Sequence, residues 1–353
     1  MGDPAWYRAA AHQPEQEETV AKTRMAQYGT RHGHASGKLQ AMQANGDVEV
    51  AGVFEPDPAR RAELEGSGGA FAGVHWYRDR SEMLEDESIA AIASEGHNAE
   101  SLDQTEEIVA AGKHVWYDKP AGDDWAQWQQ VVAAAERKGL LIQMGYMLRY
   151  HSSFRMVAEW AKSGLLGDVF AVRAHMSTHI DEAGRARIAG AHRGGIFFDL
   201  GGHMLDQVVW ILGRPVKVTS FLRSDARSAA AFEDNTLGVF EFENALAFID
   251  IAALETQPAA RRFEVYGSRG SAIIVEPFEP GRQVRLCLAE AGAGYRHGEQ
   301  VVSVDGESRQ RTYELELDAF LATIDGRQPR DRPVSHELLV QETLLRATGA
   351  IPD

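Results

Sequence analysis

Between residues 22 and 145 the chain alternates short apolar strands with helical stretches, and this rhythm is its strongest constraint on fold. Residues 23–28 read as a strand, 36–44 as a helix and 48–54 as a second strand, with a helix opening at Pro56 and Asp57. Residues 89–93, 114–117 and 140–144 read as further strands, separated by a helix ending at Ala111 and another over 124–137. Antiparallel neighbours need only a tight turn, whereas parallel neighbours need a crossover long enough to hold a helix. The spacing therefore predicts βαβ units in a doubly wound parallel sheet.

The rhythm changes after about residue 149. A helix is expected over 153–163, then longer, partly alternating strands over 169–178, 216–223, 236–242, 245–254 and 262–266. Glu243 and Asn244 suit a hairpin turn. Consecutive strands of this kind predict a large, mostly antiparallel open sheet in an α+β domain. A long helix over 195–212 interrupts them, and helices over 312–324 and 335–348 close the chain. A length of 353 residues suits two domains. We expect a Rossmann-type domain over 22–148 and a substrate-binding and oligomerisation domain over 149–353, whose last helices can pack back on the first. Residues 1–21, with Glu15, Glu17 and Glu18, read as a polar arm outside the first domain.

The formal net charge of −16 argues against nucleic acid and anionic membrane surfaces as partners. No apolar run approaches the roughly 20 residues that span a bilayer, and residues 1–21 lack the apolar core of a signal peptide. The single cysteine, Cys287, forbids an intramolecular disulfide and fits a reducing compartment such as the cytoplasm.

Three stretches carry chemistry. Gly29-Thr30-Arg31-His32-Gly33-His34-Ala35 lies between the first strand and the first helix, where a dinucleotide-binding turn belongs. The pattern is degenerate: Arg31 and His34 stand at the second and third glycine positions. A side chain at position 31 must point away or reshape the pyrophosphate contact. Glu55 ends the second strand, where an acid accepts hydrogen bonds from the adenosine ribose and repels a 2′-phosphate. NAD is thus favoured, with NADP left open by Arg60 and Arg61. Equally, Glu55 fits an acid interacting with a helix N-terminus.

Lys119 follows Asp118 and precedes Pro120 at the carboxyl end of a sheet strand, the edge where α/β sheets bind ligands. An ammonium there can polarise a C–O bond, though lysines at strand–loop junctions are common. Asp199 and His203 lie four apart and so share a helical face. Histidine suits a base that takes a hydroxyl proton, and a carboxylate can hold the imidazole. The same pair also reads as a structural hydrogen bond, or as a metal site with Asp206, although a lone triad is weak evidence for metal and no metal site is expected. His175, Ser177 and His179 alternate along one strand and share a face, which suits either a substrate cleft or a half-solvated sheet.

Together these stretches resemble the Gfo/Idh/MocA family of oxidoreductases, from about residue 23 to the end. The resemblance implies a Rossmann domain, a C-terminal α/β domain with an open sheet, and a nicotinamide cofactor. The family's Glu-Lys-Pro looks like Asp118-Lys119-Pro120, and its Asp–His helix looks like Asp199 and His203. The resemblance implies His203 as acid/base, Asp199 as its assistant and Lys119 as the group that positions the substrate hydroxyl. By the same likeness Arg149, in Tyr146-Met147-Leu148-Arg149-Tyr150, lines the pocket; from their shared strand face, His175 and Ser177 are further candidates to contact substrate. Gly29, Thr30, Arg31, His32, Glu55, Ser94, Glu95, His97 and Lys119 are expected near the dinucleotide. The loop that usually reads Thr-Pro-Asn is here Ser94-Glu95-Gly96-His97-Asn98.

The expected reaction is hydride transfer between nicotinamide and a secondary alcohol of a sugar, cyclitol or related polyol, in a homodimer or homotetramer built through the C-terminal sheet. The alternatives are transient oxidation that enables elimination from a glycoside, and a dinucleotide-binding sensor without catalysis.

Overall fold

A computed structural model describes residues 22–190, 192–226 and 231–352. The expected arm over 1–21 lies outside the described residues.

The first layer is a five-stranded parallel sheet of β1 (Thr23–Tyr28), β2 (Val48–Phe54), β3 (Ala91–Ser94), β4 (His114–Tyr117) and β5 (Ile142–Met144), in the order β2-β1-β3-β4-β5. Its crossovers are α1 (Ala35–Ala44), α2 (Pro58–Ser67) with the short α3 (Arg80–Leu84), α4 (Ser101–Ala110) and α5 (Trp125–Arg137). Local chemistry sets their starts. Asp57 and Asp124 cap α2 and α5, accepting hydrogen bonds from backbone N–H groups of the first turn. β1 and β3 are adjacent although β2 intervenes in the chain. The strand order therefore reverses there, and the crevice between their carboxyl ends is the usual ligand position in such sheets.

The second layer contains α6 (Ser152–Lys162), β6 (Val169–His175), α7 (Glu182–Ile188), α8 (Gly195–Leu212), β7 (Lys217–Arg223), β8 (Asn235–Glu241) and β9 (Leu246–Ala252). It continues through β10 (Arg262–Gly267), β11 (Gly270–Ile274), β12 (Gln283–Leu288) and β13 (Gly298–Ser303). The eight strands form one sheet in the order β13-β12-β11-β10-β6-β9-β8-β7. All its pairings are antiparallel except β6 with β9. The hairpin expected at Glu243 and Asn244 joins β8 to β9, with Phe242 N–H donating to Ala245 O at 2.9 Å.

Alternation places Val172, Ala174, Ile249, Phe263, Val265 and Leu286 on the covered face. Helices α6 and α8 cover that face, and its buried side chains belong to one hydrophobic core continuous with that of the first layer. Helices α9 (Arg309–Ile324) and α10 (Val334–Ala347) pack back on the first layer as well: α9 lies against α1 and β4, and α10 against α5 and α8. Trp116 of β4 donates to Glu316 of α9 at 3.0 Å in the buried seam.

Candidate active site

The turn after β1 is shaped by backbone proximity. Gly29 has φ +85°, and a Cβ there would lie 2.7 Å from Gly96 backbone atoms at the end of β3. No side chain fits, so the two loop backbones close on each other across the crevice. Arg31, at the second glycine position, turns outward and pairs with Asp57. The position tolerates a side chain because Asp57 holds the guanidinium at the rim of the cleft. Glu55 is buried at the end of β2, accepting from Thr30 Oγ1 at 2.6 Å and from Asp57 N–H at 3.0 Å. A carboxylate has about four lone-pair sites, so Glu55 keeps capacity for a ribose hydroxyl. A glycine-tight turn, an acid at the end of β2 and a crevice at the strand-order reversal fit a dinucleotide.

Asn98, Lys119, His192 and Asp199 line one cleft with Arg31, His32, His34 and His97. Lys119 follows β4 and its peptide bond to Pro120 is cis. Its Nζ donates to the Asp199 carbonyl oxygen at 2.6 Å and lies 3.7 Å from Asp199 Oδ1. Asn98 Nδ2 donates to the same Oδ1 at 3.2 Å. A lysine from the first layer thus meets the α8 aspartate from the second, 80 residues later. Burial pushes the Asp199 carboxyl up, but the Lys119 ammonium and His32 outweigh it and hold the group below its usual value.

His203 is buried one helical turn further along α8, its ring centroid 5.9 Å from that of His34. Among the described residues it has no hydrogen-bond partner, and its Nδ1 is wholly buried. Burial, then the Lys119 charge, depress its pKa well below 6.5. The imidazole is therefore neutral near pH 7, as a proton acceptor must be. The spacing of four does not make the expected bond to Asp199, because Asp199 turns toward Lys119 and Asn98.

The start of α8 explains how these groups are presented. Gly195 has φ +47°, and a Cβ there would meet Glu233 O at 2.3 Å. The close approach lets Ile196 N–H donate to Glu233 O at 2.9 Å, which anchors the helix entry. Gly201 answers to packing instead: a Cβ would press on Phe197 and on Leu344 of α10.

Several expected site residues stand elsewhere. Ser94 is buried with its hydroxyl accepting from Thr105 at 3.0 Å, so its side chain faces α4 and not the dinucleotide. Glu95 is fully buried beneath the turn, near Lys38 and His32, and does not line the cleft. Arg149, on the 3-10 turn Met147–Tyr150, lines a separate cavity of about 460 Å³ with Arg155, Trp210 and Gln328. Its Nη2 donates to Asp206 Oδ1 at 2.5 Å, and His336 Nε2 donates to the same oxygen at 2.7 Å. Arg149 is therefore a structural ion-pair residue. This also dissolves the triad of Asp199, His203 and Asp206, since the Asp206 carboxylate is committed to Arg149 and His336.

Replacing Arg149 by alanine should cost about 3–5 kcal/mol of stability, the usual result of leaving a buried charge uncompensated. Urea unfolding would measure it; a loss under about 1 kcal/mol would contradict the structural role.

His175 bonds Asp250 at 2.5 Å and Glu255 at 2.9 Å on the open face of the large sheet, and Ser177 Oγ accepts from Ala252 N–H at 2.8 Å. Neither lines the cleft, because the end of β6 and the residues after it spend these groups on β9 and the segment that follows it. Asn98, Ile188, His192 and Leu200 line the cleft without having been expected there from sequence. The loop position matching the family's asparagine was a usable signal for Asn98, whereas nothing local marked His192.

Residues 25–146 match a family profile described as "Oxidoreductase family, NAD-binding Rossmann fold", and residues 154–273 match the "GFO/IDH/MocA C-terminal domain". The chain is 28% identical over 229 residues to the uncharacterized oxidoreductase YhhX of Escherichia coli, covering 64% of this chain and 63% of that protein. It is 26% identical over 294 residues to the 1,5-anhydro-D-fructose reductase of Ensifer adhaerens, covering 82% of this chain and 84% of that protein. Among solved structures, levoglucosan dehydrogenase, in complex with NADH and levoglucosan, superposes with a TM-score of 0.80 at 15% identity, over 93% of this chain and 97% of that one. Among the described residues, no helix is long and apolar enough to cross a membrane.

Proposed function

The chain belongs to the Gfo/Idh/MocA family of NAD-binding oxidoreductases, and on that premise we propose that it transfers a hydride between nicotinamide and a secondary alcohol of a sugar, cyclitol or related polyol. The observation that carries the reading is the meeting of Lys119 with the Asp199 end of α8 beside a neutral, unpartnered His203. Bound NAD supplies the hydride acceptor. The protein supplies the proton path and the alignment. His203 takes the hydroxyl proton as the carbonyl forms, and Lys119 stabilises the oxygen while it carries partial negative charge. Asp199 sets the position of the Lys119 ammonium and, with Asn98, offers hydrogen bonds to a neighbouring hydroxyl. The names of the reductase and levoglucosan relatives, both acting on sugar derivatives, support a polyhydroxy substrate.

The test is a panel of sugars, anhydrosugars, polyols and inositols with NAD and with NADP, followed by absorbance of the reduced cofactor. NADH formed in step with a ketone product supports the reading. A free sugar released from a glycoside with no net NADH would replace it with oxidation-assisted elimination.

We propose that a homo-oligomer contact uses the open face of the large sheet. Phe221, Leu246 and Val301 are each about half exposed there, at 57%, 49% and 56%. These side chains are spread across the sheet from β7 to β13, on a face that no helix covers and that a second copy of the sheet could cover. Light scattering after size-exclusion chromatography should give a dimer or tetramer, and Phe221→Asp should shift it toward monomer. A monomeric wild type at micromolar concentration would refute the contact. The lone, exposed Cys287 accords with a cytoplasmic protein, which cell fractionation checks.

A further inference from the structure

We propose that His32, His34 and Asp118, joined by Glu95, form a site for one divalent transition-metal ion of the zinc class beneath the turn after β1. One ligand atom from each of His32, His34 and Asp118 lies within 4.8 Å of the others. His34 Nδ1 is 2.9 Å and His32 Nδ1 is 3.3 Å from Asp118 Oδ2. Bonds of about 2.0–2.1 Å in a tetrahedron imply ligand–ligand edges of about 3.4 Å. The observed edges are therefore near those of a site drawn around a cation.

Glu95 is an independent second observation. It is fully buried, and neither carboxylate oxygen accepts a hydrogen bond. Its Oε2 lies 3.6 Å from His32 Nδ1, while Oε1 lies 3.5 Å from Lys38 Nζ. An unsatisfied buried carboxylate is costly, and this one directs an oxygen at the same nitrogen that faces Asp118.

The tautomer of His32 sharpens the point. Its Nε2 is 3.1 Å from the Lys119 carbonyl oxygen, which can only accept, so Nε2 carries the proton. The His34 backbone N–H approaches Nδ1 at 3.2 Å, as it would an acceptor. With Nε2 protonated, the neutral ring has no proton on Nδ1 to place between it and the Asp118 and Glu95 oxygens at 3.3 and 3.6 Å, and a bound metal would take the Nδ1 lone pair from the His34 N–H. A cation resolves such a contact. Metal-bound histidines commonly donate their other ring N–H to a carbonyl in this way.

Charge balance points the same way. The Lys38 ammonium, itself fully buried, stands 3.4–3.7 Å from Asp118 and Glu316 and 3.5 Å from Glu95. One cation faces three carboxylates, and a divalent ion held by two neutral imidazoles closes the deficit. Protons on Glu95 and Glu316 are the competing way to close it, and the two differ in what the protein binds. The ligands come from the turn after β1 and from the residues following β3 and β4. The ion would tie those three strand ends together where Arg31 and His34 replace the usual glycines.

The full chain, stripped with a chelator and checked by circular dichroism, would be titrated with Co²⁺ and then Zn²⁺. The expected result is one equivalent of Co²⁺ per chain with the visible absorption of a tetrahedral site, displaced by Zn²⁺. Loss of a ligand in His34→Ala, or in the better space-filling His34→Gln if alanine does not fold, should weaken Co²⁺ binding at least about tenfold, and Glu95→Gln should weaken it by a similar factor. No stoichiometric uptake by the wild type, or uptake equal in a folded His34 variant, would overturn the site and leave protonated carboxyls as the balance. The readout needs neither substrate nor NAD, so it stands or falls apart from the proposed reaction.

Discussion

Replacing His203 by alanine is expected to lower kcat by about 10²- to 10⁴-fold, the range that general base catalysis contributes, while NAD still binds. The imidazole is buried on α8, has no hydrogen-bond partner among the described residues and sits beside the cleft that holds Lys119 and Asp199. Removing it leaves a small cavity and no obligatory polar partner stranded, so the fold should survive. Comparable kcat in a folded His203→Ala protein would end its assignment as base. The pH profile gives a second readout. Burial, and then the Lys119 charge, hold His203 well below 6.5. A base must be unprotonated, so lowering the pH from 8 to 6.5 should not remove activity through His203. The acid limb of kcat/KM should instead fall below pH 6.5, and a limb centred at or above 6.5 would contradict the depressed value.

Lys119→Ala is expected to lower kcat/KM by about 10²- to 10³-fold, the usual cost of deleting one preorganised group that stabilises a developing oxyanion. The ammonium is held at 2.6 Å by the Asp199 carbonyl and is almost wholly buried. Its charge is therefore little screened by solvent. Lys119→Arg should not restore the rate, because a planar fork cannot replace a compact ammonium in this space. The loss should appear in kcat more than in KM if Lys119 acts on the oxygen as charge develops, and in KM alone if it only binds substrate. A change confined to KM would reduce its role to substrate positioning.

Much of this site was legible before any fold was known, because the signals are local. Gly29 precedes a helix at the end of an apolar strand, and Lys119 ends another. Asp199 and His203 are four apart in a glycine-bearing helix. Strand and helix periods also placed α8 at its observed bounds. The strands β11, β12 and β13 were missed, although Gln283–Leu288 alternates exposed and buried residues throughout its length. That signal was present, but short strands after Gly and Pro turns read easily as loop.

What the sequence alone determined is the order of elements, the two kinds of sheet and the residue types available at each strand end. Those follow from propensities and periods that span a few residues. Only the tertiary structure decided which side chains meet. Arg31 is held at the cleft rim by Asp57, Ser94 turns into α4, and Arg149 is drawn away by Asp206 and His336. Asp199 takes Lys119 and Asn98 in place of His203. Glu95 and Asp118 converge with His32 and His34 although they come from separate loops. The reason is physical: a side chain's partner is chosen by the packing of distant elements, and by burial and charge at their meeting point, and none of these is encoded in the spacing of neighbours along the chain.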